Sequence, residues 1–245
     1  MCTLTYLPLK TGAILTSSRD EKYSREPGLA PSCRKIGGVS LYAPTDTRAG
    51  GTWFMVSDLG TTGVLLNGAT GPHKPLPVYR KSRGVVLSEL FETGHPVEAL
   101  ARYDLDGIEN FTLLVYTGSR LFQGVWDGTL LNIKTVDTAI PHIWSSVTLY
   151  SPAMVAARKQ WFDNWLARQQ YFRQQGILHF HRVGGRGNRD FGLRIDRTGL
   201  VRTVSITSVR LEKAQARMVY QDCLQGGETV LRIPVRLTEP ALLNN

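Results

Sequence analysis

Residues 1–21 read MCTLTYLPLKTGAILTSSRDE, and the fold turns on how this stretch is read. Residues 2–8 and 12–18 are short β-rich runs, and Lys10-Thr11-Gly12 between them is a turn, so a hairpin is expected. Cys2 stands directly behind Met1, and removal of methionine is expected before so small a side chain. The mature chain would then carry a thiol and a free α-amine on one residue. An α-amine has an intrinsic pKa of about 7.7–8.0, close enough to neutral to act as a general base. A nucleophile with its own base attached is a known route to activation. Arg19 and Asp20, one strand later, are candidates to hold that residue: Arg19 by favouring thiolate, Asp20 by accepting from the amine. Successive strand residues face opposite ways, so Asp20 and Glu21 are not expected to line a site together. The competing reading makes Cys2 a small apolar residue of an edge strand, since free cysteines are commonly buried and inert.

Met1-Cys2-Thr3-Leu4, Arg19-Asp20-Glu21 and Arg48-Ala49-Gly50-Gly51-Thr52-Trp53 together resemble the NRDE family, which is named for an Asn-Arg-Asp-Glu motif and includes transport and Golgi organisation protein 2. The Gly-Gly-Thr-Trp element lies about thirty residues past the triplet and precedes a strand ending in Leu65-Leu66-Asn67. Ser18 departs from the pattern, standing where the family has asparagine. The N-terminal pattern is also similar to the choloylglycine-hydrolase branch of the N-terminal nucleophile (Ntn) hydrolases. That resemblance implies a four-layer αββα sandwich and an asparagine after a comparable strand, which Asn67 matches; its amide would donate to an oxyanion. The plainer reading of Asn67 is a turn residue before Gly68. Ser146 sits where relatives tend to have asparagine, and Arg189 where the choloylglycine group has a site arginine. Gly50 and Gly51 would let backbone approach a ligand, and Trp53 would be a pocket wall or plain core.

The implied function is hydrolysis of a non-peptide C–N (amide) bond in a small acylated substrate. The alternative is a carrier or chaperone on the same fold for a hydrophobic anion such as haem or acyl-CoA, because family members have been linked to haem trafficking and lipid homeostasis.

Composition narrows the remaining classes. At 245 residues, with 42% apolar and 20% charged residues, the chain is expected to form one globular domain over residues 1–245. No apolar run approaches the roughly 18–20 residues that span a bilayer, and no signal peptide is visible. Cys2, Cys33 and Cys223 are odd in number and lack metal-ligand spacing, so neither a disulfide framework, a metal site nor a cofactor is expected. A cytoplasmic, reducing location follows. The net charge is +9, with nine basic residues against Asp190, Asp196 and Glu212 between Arg182 and Arg217. No recognition helix, zinc finger or RNA-binding aromatic motif accompanies that stripe, which argues against nucleic acid. Arginine forks suit small carboxylates and phosphates. Arg186, Arg189 and the loop 183–188 are therefore expected to close over an anionic head group, its tail near Trp53, Trp161 and Trp165.

Strands are expected near 36–43, 52–58, 61–67, 111–117, 120–126, 129–135, 190–197, 200–209, 214–223 and 229–237. Loops are expected over 22–35 and 68–81. Helices are expected over 82–92, from Pro96 to about Tyr103, and from Pro152 to about Gln175, where Gly176 would stop the last one. His179 and His181 would share one face of a strand, and Gly184-Gly185-Arg186-Gly187 would be a flexible or ligand-ordered loop. Strands with helices inserted in blocks define an α+β protein.

Overall fold

The structure is a computed structural model and describes residues 2–236. The expected hairpin forms as β1 (Cys2–Leu9) and β2 (Gly12–Lys22). β3 (Leu29–Ile36), β4 (Val39–Thr45), β5 (Phe54–Ser57) and β6 (Thr62–Asn67) follow, then α1 (Arg83–Glu92) and α2 (Pro96–Arg102). The chain continues with β7 (Phe111–Tyr116), β8 (Leu121–Trp126), β9 (Leu131–Val136) and β10 (His142–Ser145). α3 (Pro152–Leu166) and α4 (Gln174–Val183) precede β11 (Asp196–Arg197), β12 (Val201–Glu212), β13 (Gln215–Asp222) and β14 (Glu228–Pro234).

Two antiparallel sheets result. One runs β10-β1-β2-β12-β13-β14, with β11 against β12; the other is a meander, β3 through β9 in chain order. Alternation along each strand assigns its faces. In β2, Ala13 and Leu15 enter the core between the sheets, with Leu4, Tyr6, Phe54, Val64, Val209 and Met218. Ile14 points the other way and, with Leu7, meets Phe162, Ile177 and Phe180 of α3 and α4. β2 is therefore buried continuously from Ala13 to Asp20, the mark of a strand covered on both faces. Leu87, Leu90 and Phe91 of α1 pack on Leu41, Met55 and Leu113 of the second sheet. At about 1.5–3 kcal/mol per fully buried large apolar side chain, these three interfaces are what hold the layers together. The layers run α, β, β, α, as expected. No helix among the described residues is long and apolar enough to cross a membrane.

Several expected elements differ. The segment 22–35 carries β3, and β10 was not anticipated; it pairs with β1 through Thr3↔Ser145 and so makes β1 an interior strand. The long helix stops at Leu166 rather than near Gln175, and Gly176 lies inside α4. Residues 167–173 break the helix, with Trp165 stacked on Phe172 at 6.3 Å and both helices over one core. His179 and His181 are thus on a helix, not a strand. Of the strand expected at 190–197 only Asp196–Arg197 forms, because Phe191 and Gly192 give their carbonyls to Arg158 instead of a ladder.

Candidate functional site

The C-terminal half of β2 divides its side chains between two environments. Arg19 and Glu21 face the gap between the sheets; Asp20 faces the helices. Arg19 is almost wholly buried and donates from Nη2 to Asp46 Oδ2 at 2.5 Å, lies 3.2 Å from Glu21 Oε1, and stacks 4.2 Å above the Trp53 ring. Asp46, just past β4, also accepts from Arg25 at 2.8 Å and from the Arg48 and Ala49 amides at 3.1 and 2.9 Å. Burial works against its ionisation, but the Arg25 and Ala49 hydrogen bonds and the Arg19 and Arg25 charges prevail, holding its carboxyl below the usual range.

The loop after Asp46 is shaped by two glycines with different duties. Gly50 has φ +69°, a left-handed turn conformation. Gly51 has no room for a side chain: a Cβ there would lie 2.3 Å from Gly84 C and 2.4 Å from Val85 N. Its bare backbone approaches the start of α1, and Thr52 N donates to Gly84 O at 3.1 Å. That start is capped by Ser82, whose Oγ accepts from Gly84 N.

Together these parts line an open cleft of about 100 Å³ whose walls include Arg19, Glu21, Gly51, Trp53, Asn67 and Gly84. A second recess of about 560 Å³ adjoins it, sharing Glu21, Arg25, Asn67 and Arg83. Asn67 ends β6 and is followed by Gly68 at φ +86°, so it is both a turn residue and a cleft residue. Ser146 does not line the cleft; its Oγ donates to Asn67 O at 2.7 Å and ties that turn to the end of β10. Cys2 stands directly opposite Arg19 in the β1–β2 ladder. Directly opposed residues of an antiparallel pair share a sheet face, so position 2 belongs to the face on which Arg19 meets the cleft.

Asp20, the residue after Arg19, lies on the other face of β2. It is fully buried on the reverse face, where Tyr150 Oη donates to Oδ2 and Thr203 Oγ1 donates to Oδ1 at 2.5 Å. Burial raises its carboxyl above the usual range despite the opposing Arg158 charge and these two donors. A register shift in β12 between Thr203 and Ser205 aims Thr203 at it. Nearby, the Ser18 and Thr5 hydroxyls engage His181 Nδ1 and Nε2 at 2.7 and 2.9 Å. Burial, then the Arg158 charge, holds the His181 imidazole down at about 3, so the ring is neutral. Ser18, the departure from the family motif, therefore packs against a helix and not in the cleft.

Arg189 is exposed and lies outside the cleft, contributing its carbonyl to Asp196 N at 3.1 Å. Trp161 and Trp165 belong to the helix-side core, while Trp53 belongs to the core between the sheets. The first sheet stands between them, so they cannot hold one ligand tail. The glycine-rich loop is packed down: a Cβ at Gly185 would sit 2.3 Å from the Trp161 ring. No cluster of metal-ligating side chains occurs among the described residues. Sequence reasoning missed Asp46, Tyr150 and Arg158. The last left a signal, because Arg158 lies four residues from both Met154 and Phe162, in the middle of an otherwise apolar helix stripe.

Two packed sheets flanked by helices, with β1 beginning beside a cleft, define an Ntn-hydrolase architecture. The chain aligns with the C2A mutant of a conjugated bile acid hydrolase from Clostridium perfringens at a TM-score of 0.53 and 9% identity, covering 94% of this chain and 92% of that one. It aligns with the Caenorhabditis elegans ortholog of N-acylethanolamine-hydrolyzing acid amidase at 0.54 and 12%, covering 84% and 92%. These likenesses show the fold. The chain belongs to the Transport and Golgi organisation 2 family, whose model matches residues 1–175. No curated protein matches it.

Proposed function

We propose that the protein is an amidohydrolase whose nucleophile is Cys2, acting on the C–N bond of a small acylated substrate. The observation that carries this reading is the ladder pairing of Cys2 with Arg19 at the wall of a cleft that also holds Asn67. With Met1 removed, the α-amine takes the thiol proton and the thiolate adds to the amide carbonyl. The Asn67 amide donates to the oxyanion, and a nearby guanidinium favours thiolate. Collapse breaks the C–N bond as the ammonium returns its proton to the leaving amine. Water then hydrolyses the thioester and restores the thiol. A reducing, cytoplasmic location suits a free thiol nucleophile.

The ligand's charge is read from the cleft walls. Across both recesses Arg19, Lys22, Arg25, Arg48 and Arg83 face Glu21, Asp46 and Glu109, five cations against three carboxylates. Arg83 pairs with Glu109 at 2.8 Å and Arg25 with Asp46. That surplus suits an anionic substrate and replaces the exposed Arg186 and Arg189 as its source. The same surplus, with the size of the outer recess, supports the second reading: a carrier for a hydrophobic anion such as haem or acyl-CoA.

The test is release of amine from N-decanoylglycine by wild type and Cys2→Ala. Turnover by wild type alone supports the hydrolase. Saturable binding of the same compound to both proteins, with turnover by neither, supports the carrier and removes the hydrolase.

A further inference from the structure

Arg158 is the largest wholly buried side chain, and no carboxylate among the described residues pairs with it directly. A guanidinium taken out of water needs its donors filled and a counter-charge within reach. Arg158 fills them with Phe191 O through Nε at 3.0 Å, Gly192 O through Nη2 at 2.7 Å, and Thr3 Oγ1 through Nη1 at 2.5 Å. The counter-charge arrives through an aromatic ring. The guanidinium lies 3.5 Å over Tyr150, whose hydroxyl donates to Asp20.

The two ends of this chain are specific. Thr3 follows Cys2, and Asp20 follows Arg19, and Cys2 and Arg19 are opposed in the ladder. The neighbours of Arg19 and of its ladder partner are therefore gripped from the reverse face of the sheet by side chains from α3 and the turn before it.

We propose that Arg158 and Tyr150 are positioning residues that set the first residues of β1 against Arg19, acting through Thr3 and Asp20 without touching substrate. This rests on Cys2 being the nucleophile of the proposed hydrolase. Tyr150→Phe removes one hydroxyl and keeps the ring under Arg158; Arg158→Lys keeps the charge and loses the fork. Phe162→Leu, in the helix-side core of the same layer, serves as a control for general loss of stability.

Two readouts separate the possibilities, both in a Cys33→Ser background because Cys33 is exposed. Amide hydrogen exchange at Thr3 and Leu4 should quicken about fivefold in Tyr150→Phe, the worth of one hydrogen bond, with Leu7 at the far end of β1 unchanged. Alkylation of Cys2 by iodoacetamide at pH 7 should slow by a similar factor in Tyr150→Phe and Arg158→Lys, but not in Phe162→Leu. Unchanged exchange at Thr3 in Tyr150→Phe would overturn the proposal, as would changes that only track melting temperature across all three variants. If exchange quickens while wild-type Cys2 alkylates like a free cysteine, the positioning stands and the nucleophile reading fails.

Discussion

One residue separates Arg19 from Asp20, and that step carries them to opposite faces of β2. Arg19 reaches a cleft; Asp20 reaches a buried network. The expectation that Asp20 and Glu21 would diverge came from strand alternation alone, and the divergence is found. Which of the two would turn toward the cleft was not legible, because both faces of β2 are covered and both turn polar after Leu15. His181 offers a check on the buried network. Its native pKa lies at about 3, below the ordinary value near 6.5. As pH falls below about 6.5 the unfolded chain takes up a proton that the native ring refuses, so stability is lost down to about pH 3. Between pH 7.5 and 5.5 the urea midpoint of wild type should fall by the equivalent of about 1 kcal/mol, and that of His181→Gln by much less. An equal fall in both would show that the ring is protonated without cost. At the same scale, Arg19→Ala should raise the Cys2 thiol pKa and slow iodoacetamide labelling at neutral pH; an unchanged rate would remove Arg19 from thiol activation.

At the level of elements, the N-terminal hairpin, α1, α2 and the β7–β9 meander were readable, because each has a clear period and a clear stop. Ser82 and Pro96 open their helices as capping chemistry predicts. The elements that escaped depend on tertiary partners. β10 is four half-buried residues that exist as a strand because β1 offers an edge. The break between α3 and α4 carries neither glycine nor proline, and the apolar spacing runs on through Phe172, so only the shared core reveals it. Gly51 is the element-scale test. A methyl group there must push the loop away from the α1 backbone, an overpacking cost of about 1–3 kcal/mol. Gly51→Ala should therefore lower the melting temperature by roughly 3–10 °C. No change would mean that the loop does not rest on α1.

Over the whole molecule, the sequence pointed to the right layers, and Arg19, Gly51, Trp53 and Asn67 line one cleft that Arg186 and Arg189 do not reach. Arg186 and Arg189 stand out in a linear count of charge, whereas the cations that meet in space, Lys22, Arg25, Arg48 and Arg83, are scattered along the chain. Charge density along a sequence does not report which charges two sheets bring together. The +9 net charge follows the same logic, as a property of the surface that specifies no site. Anion binding at this cleft should weaken with salt without vanishing, because Lys22 and Arg48 are exposed to screening while Arg19, Arg25 and Arg83 are largely sheltered from it; binding of decanoate that is indifferent to ionic strength would contradict it.

The proposed chemistry requires Cys2 to be an activated N-terminal thiol. Peptide-level mass spectrometry of protein from its native cells, pulse-labelled with iodoacetamide across a pH series, reads the terminus and the thiol together. The account predicts a first peptide beginning at Cys2, with a labelling midpoint clearly below the ordinary thiol value of about 8.5. A first peptide that keeps Met1, or a midpoint at or above that value, would contradict it.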